Sequence, residues 1–165
     1  FANSLSATKN FSAAIKSYVK TTTLEPDEGL SYVGLGLSYF GAGNSKKAIE
    51  YMKLASNLES KTSKAAVTPG EIIPADELLA DLYLALNKPE KALETYELNL
   101  EGHPFRFNGI YGAAKAAEKL NDIKLAVYYF DQLVKLSSGI NSSRPEISEA
   151  KEFILINSTL LANNV

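Results

Sequence analysis

Glu77 and Asp81 offer the first chemistry in this sequence. Their i, i+4 spacing places both carboxylates on one face of a helix. Carboxylates paired in this way do acid–base work, hold a divalent cation, or meet a basic residue of a partner. Two solvated charges on a surface are the plainer reading. His103 is the only histidine, so any Ser-His-Asp set would have to use it, as would most catalytic metal sites. It stands in EGHPF, a turn sequence that favours an exposed residue. No second histidine at helical spacing and no nucleophile elbow accompanies it. Cysteine is absent, which removes disulfides, thiolate chemistry and cysteine-bound zinc together. No catalytic set assembles. The expectation is a non-enzymatic protein without cofactor or metal.

The stretch GLGLSYFGAGN, Gly34 to Asn44, is the next candidate, because glycine-rich loops cradle phosphates. A Walker-type loop needs Lys and Ser or Thr after its second glycine. Gly36 and Gly41 have the spacing, but Ala42 and Gly43 follow. The dinucleotide pattern fails as well, at Tyr39. Gly34 and Gly36 therefore read as interior helix residues that let a second helix approach, and Gly41 and Gly43 as a turn. The run Tyr128, Tyr129, Phe130 could stack on bases. No basic stripe accompanies it, so packing against a terminal helix is expected instead.

Composition supports these exclusions. The chain has 165 residues, a net charge of −2 and 45% hydrophobic residues, and its pI is near 5.5. A nucleic-acid binder is usually basic. The most apolar runs break within about ten residues, against the roughly 20 that a membrane span needs. Nothing fixes the compartment, and cytoplasm and periplasm both fit. The chain opens on Phe1, consistent with a removed leader or a longer parent chain.

The elements that would position these residues follow from an internal repeat. Segments of helical period cover almost the whole chain, separated by breakers such as Pro26, Gly43, Asn87 to Pro89 and Gly102 to Pro104. Ala14, Ala48, Ala92 and Ala126 are spaced 34, 44 and 34 residues apart. Four residues after each comes a large side chain: Tyr18, Met52, Tyr96 and Phe130. Twelve before each comes a small one: Ala2, Gly36, Ala80 and Ala114. Nine before come Leu5, Tyr39, Tyr83 and Ala117, and twelve after come Pro26, Ser60, Pro104 and Ser138. Small residues let two antiparallel helices close up, large ones fill the space beside them, and proline ends the second helix. A lone pair cannot bury its apolar faces, so such units stack.

These columns resemble the tetratricopeptide repeat over roughly residues 1 to 138. The resemblance implies an all-α fold, an α-α superhelix of antiparallel helix pairs forming a solenoid, with a C-terminal capping helix. The expected organisation is a single domain over 1–165: a partial repeat at 1–28, a repeat at 29–60, an inserted loop at 61–72, repeats at 73–106 and 107–138, and a capping helix at 145–162. The first copy lacks most of its first helix, which suggests a cut through a longer array. Thr21 and Asn99 depart from the pattern, standing where a small apolar residue is usual, and Ala117 replaces an aromatic. The inserted loop, KTSKAAVTPG from Lys61 to Gly70, has no counterpart in the other copies. More loosely, the C-terminal part looks like bacterial repeat proteins with no assigned activity.

In such a solenoid the first helices line a concave groove. Copy two would contribute Leu30, Val33, Leu37 and Phe40, copy three Glu77, Leu78, Asp81 and Leu84, and copy four Asn108, Tyr111, Lys115 and Glu118. An apolar patch with a polar rim suits a peptide. The expected function is a protein–protein interaction scaffold using Leu37, Phe40, Glu77, Leu78, Asp81, Asn108, Tyr111 and Lys115. Relatives that bind chaperone C-termini use a clamp of Lys, Asn and Arg. Val33, Leu37, Glu77 and Asp81 stand there instead, and the carboxylates would repel a C-terminus. Two alternatives are kept: a small-molecule or metal-binding protein using Glu77, Asp81 and Tyr111, and the regulatory or assembly part of a larger enzyme.

Overall fold

A computed structural model describes residues 10–61, 73–139 and 143–162, with the side chains of 158–162 excepted. Among the described residues there are eight helices and no strand. They are α1 (Phe11–Leu24), α2 (Gly29–Gly41), α3 (Ser45–Lys61), α4 (Ala75–Ala85), α5 (Pro89–Gly102), α6 (Phe107–Lys119), α7 (Ile123–Leu136) and α8 (Pro145–Ala162). The chain divides into two compact units, Phe1–Leu79 and Ala80–Val165, with the boundary inside α4. Ala2 and Leu5 of the first copy, and all of the inserted loop beyond Lys61, lie outside the described residues.

The helices begin where the sequence supplies a cap. The side chains of Asn10, Glu28, Asn44 and Asp122 accept hydrogen bonds from backbone N–H groups three residues on, satisfying donors that a first helical turn leaves orphaned. Pro89 opens α5 and Pro145 opens α8, where the missing N–H costs nothing.

One turn joins the helices of a pair, and it recurs. Gly43, Asn87 and Asn121 all take positive φ, between 54° and 79°. In each case the following N–H reaches back five residues: Asn44 to the Tyr39 carbonyl, Lys88 to Tyr83, Asp122 to Ala117. This closes a helix on a left-handed residue, for which glycine and asparagine are suited. Gly41 plays a different part from the turn role expected of it. It is the last residue of α2, and a Cβ there would come within 2.2 Å of the Phe11 ring. Its smallness makes room for α1.

In the first unit α2 packs against both α1 and α3. Ala14, Ala48 and Met52 are fully buried. A Cβ on Gly36 would meet the Ala48 carbonyl oxygen at 3.2 Å, so the close approach expected of this position is present. Tyr18 lies over Gly34, whose Cβ would fall 2.1 Å from the ring. At its C-terminal side the unit holds the start of α4. The Ser56 hydroxyl donates to the Asp76 carboxylate, and the Glu59 carboxylate accepts from the Ala75 N–H at 2.8 Å.

In the second unit α6 packs on α5 and α7, and α7 packs on α8. Ala80, Ala92, Ala113, Ala114, Ala126, Phe130 and Leu133 are fully buried. Tyr96 lies over Gly112 as Tyr18 lies over Gly34, with the added Cβ falling at 2.2 Å.

Candidate functional site

The residues expected to line one groove fall in both units. In the first, α2 carries Leu30, Val33, Leu37 and Phe40 on one stripe at helical spacing. Leu30 is 73% exposed, Leu37 43% and Phe40 37%, while Val33 is buried. The stripe is therefore an open apolar face with one residue drawn into the core. Elsewhere on the pair Tyr51 stacks on both Tyr32 and Tyr39, and the Lys47 ammonium stands 4.9 Å from the Tyr39 ring centre.

Glu77 and Leu78 also belong to the first unit. Glu77 is not a solvated charge on a groove wall: it is 1% exposed. A carboxylate costs too much to bury without engagement, and Glu77 is not without a partner. Leu78 is half-buried. Asp81, one turn on, is exposed in the second unit. It accepts a hydrogen bond from the Tyr96 hydroxyl. The i, i+4 pair thus splits into one buried and one exposed group. Among the described residues no group of three or more His, Asp or Glu is placed to hold a metal ion.

Asn108, Tyr111 and Lys115 of α6 are all engaged by the terminal segment. Tyr111 donates to Glu149 Oε2 at 2.6 Å, Lys115 donates to Glu149 Oε1 at 2.7 Å, and Lys115 also pairs with Glu118. Asn108 Oδ1 accepts from Arg144 at 3.0 Å, and the Arg144 guanidinium lies 3.7 Å from the centre of the Phe107 ring. Burial first, then the bond to Glu149, pushes the Tyr111 phenol up to about 12. For Lys115 burial acts downward, but the bonds to Glu118 and Glu149 outweigh it and its pKa is raised. For Glu149 burial acts upward, and the bonds from Lys115 and Tyr111 outweigh it, so its pKa is lowered. These three side chains therefore fasten α8 to α6. Arg144 and Glu149 are what the sequence reading missed. Their partners lie more than 30 residues away, and no local spacing points to them.

His103 caps α5 and is half-buried rather than an open turn residue, with Nδ1 3.3 Å from the Asn99 carbonyl. The aromatic run also divides. Phe130 packs on Phe153 of α8, with ring centres 4.8 Å apart. Tyr129 faces elsewhere and donates to Glu97 at 2.8 Å, and Tyr128 is 55% exposed. Phe130 meets the terminal helix as expected. Tyr128 and Tyr129 instead border a cavity in the second unit, walled by α5, α6, α7 and the loop between α5 and α6.

No helix among the described residues is long and apolar enough to cross a membrane. The family model for the tetratricopeptide repeat matches residues 1–57 and 77–139. No curated protein matches the chain. Among solved structures, MamA superposes with a TM-score of 0.68 at 15% identity, over 98% of this chain and 82% of that one. YrrB, described as a TPR protein with an unusual peptide-binding site, gives 0.68 at 16% identity, over 99% and 75%. The TPR-like repeats of a kinesin light chain from Podosopora anserina give 0.71 at 17%, over 93% and 79%. At these identities the likeness is one of fold. The match to the family model, the recurring turn and the all-helical pairs agree: the chain belongs to the tetratricopeptide repeat family.

Proposed function

We propose that this chain is a non-catalytic scaffold whose first-helix faces receive an extended or helical segment of another polypeptide. The fold is that of protein-interaction scaffolds, and the YrrB relative by fold is a peptide binder by its description. The observation that carries the reading is the open apolar stripe of α2, where Leu30, Leu37 and Phe40 are exposed. Exposed apolar side chains gathered on one helix face mark contact surfaces more often than scattered ones do. Leu78 is a further, half-buried apolar side chain of the first unit, and in the second unit Asp81 is an exposed carboxylate that disfavours acidic partners where it is met. Asn108, Tyr111 and Lys115 contribute by holding α8 in place, in addition to any contact of their own.

The test is selection of binders from a displayed peptide library, followed by calorimetric titration of the selected peptide. The wild-type chain is compared with a Leu37→Glu, Phe40→Glu variant of unchanged helicity. Loss of more than about tenfold in affinity, roughly 1.4 kcal/mol, supports the reading. Equal affinity for both proteins removes the α2 stripe as the site.

A further inference from the structure

The second unit holds a cavity of about 550 Å³ that the first-helix reading does not use. Its walls include Leu100, Phe105, Tyr128 and Tyr129, and its carboxylates are Glu97 and Glu101. The size lies within the range of ligand pockets, and among the described residues no lysine or arginine lines it. We propose that this cavity receives an arginine side chain of a partner polypeptide.

Three features argue for a guanidinium. First, the aromatic walls are open. Phe105 is 80% exposed and Tyr128 55% exposed, a costly placement for two large rings unless something covers them. Tyr128 stands edge-on to Tyr129, with ring centres 5.1 Å apart and planes at 71°. This fixes the ring and presents it to a flat cation, which binds over aromatic faces. Second, the negative charge is patterned. Glu90, Glu94, Glu97 and Glu101 are all exposed and follow a four-three-four spacing along one face of α5. Two of them reach the cavity. Third, one carboxylate is held in position. Tyr129 donates to Glu97 Oε1, and burial followed by that bond raises the Tyr129 pKa, so the phenol stays a donor. Among the described residues no bond is made to Oε2, which can accept an incoming N–H. Arginine suits this combination better than lysine, because its planar fork both stacks on a ring and bonds a carboxylate bidentately.

The experiment is a titration of the ¹⁵N-labelled full chain with N-acetyl-arginine methylamide, followed by ¹H–¹⁵N correlation spectra. The citrulline analogue, of equal shape and no charge, is the control. Saturable shifts are expected at the amides of residues 97–105 and 128–132, with citrulline binding at least several-fold more weakly. Tyr128→Ala should weaken arginine binding roughly threefold to thirtyfold. Glu101→Gln should weaken it by a smaller factor. Both side chains are exposed, so both variants should keep the wild-type helicity. Leu37→Glu with Phe40→Glu should leave these shifts untouched, which separates this site from the α2 stripe. Absence of saturable shifts in the two segments, equal response to citrulline, or unchanged affinity in folded Tyr128→Ala would each overturn the proposal.

Discussion

Replacing Asn99 by alanine should make the protein more stable. Asn99 is 2% exposed within α5, and among the described residues neither its Oδ1 nor its Nδ2 has a hydrogen-bond partner. Ala55 stands at the corresponding place after Ala48 and is 1% exposed, so alanine suits this environment. A buried, unsatisfied polar group costs about 1–3 kcal/mol, which the substitution recovers. Alanine also exceeds asparagine in helix propensity by roughly 0.5 kcal/mol. Against this, the side-chain atoms removed leave a void of about one water, ~30 Å³. At 24 cal/mol per Å³ that void costs about 0.7 kcal/mol. The balance favours the variant by about 1–3 kcal/mol, a rise of roughly 2–10 °C in the melting temperature of a chain this size. Calorimetric melting of the two proteins at one pH and concentration measures it. Asn99→Asp, nearly the same shape, should instead lower the midpoint steeply, because it buries a charge without a partner. An Asn99→Ala midpoint at or below wild type would refute the reasoning and mean that the amide finds partners in solution.

The attachment of α8 should depend on pH at both ends. Glu149 has a lowered pKa, so its contribution is complete above the ordinary carboxylate value of 4.5 and is lost as pH falls below that. Lys115 and Tyr111 are raised, so theirs are complete below the ordinary 10.5 and 10.0 and are lost as pH climbs beyond, for Tyr111 through about 12. Melting temperature against pH for wild type and Glu149→Gln checks this: the variant should lose part of the acid-side fall, and superimposable profiles would count against the assignment. Tyr96→Phe removes the donor to Asp81 while keeping the ring over Gly112. It should cost about 0.5–1.5 kcal/mol in urea unfolding, and up to about 3 if the carboxylate bond has its full strength. No change there would mean that the Tyr96–Asp81 bond adds nothing to stability.

The repeat was legible because small residues at fixed intervals have one physical use. Ala14, Ala48, Ala92 and Ala126 are all fully buried, and at Ala48 the neighbouring helix comes close at Gly36. The turns were legible for the same reason, since Gly43, Asn87 and Asn121 tolerate a conformation most residues avoid. The candidate site was legible only as a list of positions. Leu37 and Phe40 are open, but Glu77 reads identically to an exposed carboxylate in the sequence and is buried. Helical period assigns a face, and burial depends on what the neighbouring elements bring. Tyr111 and Lys115 could not be assigned without Glu149, a residue 34 or more positions away. The run of three aromatics looked like one unit, whereas on a helix successive residues diverge by about 100°. Phe130 turned to α8 while Tyr128 turned to the cavity.

The tyrosine lying over a glycine, once at Tyr18 and Gly34 and again at Tyr96 and Gly112, constrains how this sequence can change over generations. Any side chain arriving first at the glycine would meet a ring at about 2 Å, and the descendant would fold poorly. A smaller residue arriving first at the tyrosine would leave a gap, costly but survivable, which a methyl at the glycine could then fill. The two positions are thus joined in a one-way passage: the ring must shrink before the backbone can gain a side chain. Variants carrying alanine in place of Gly34 or Gly112 should therefore be met only in lineages that had already given up the tyrosine.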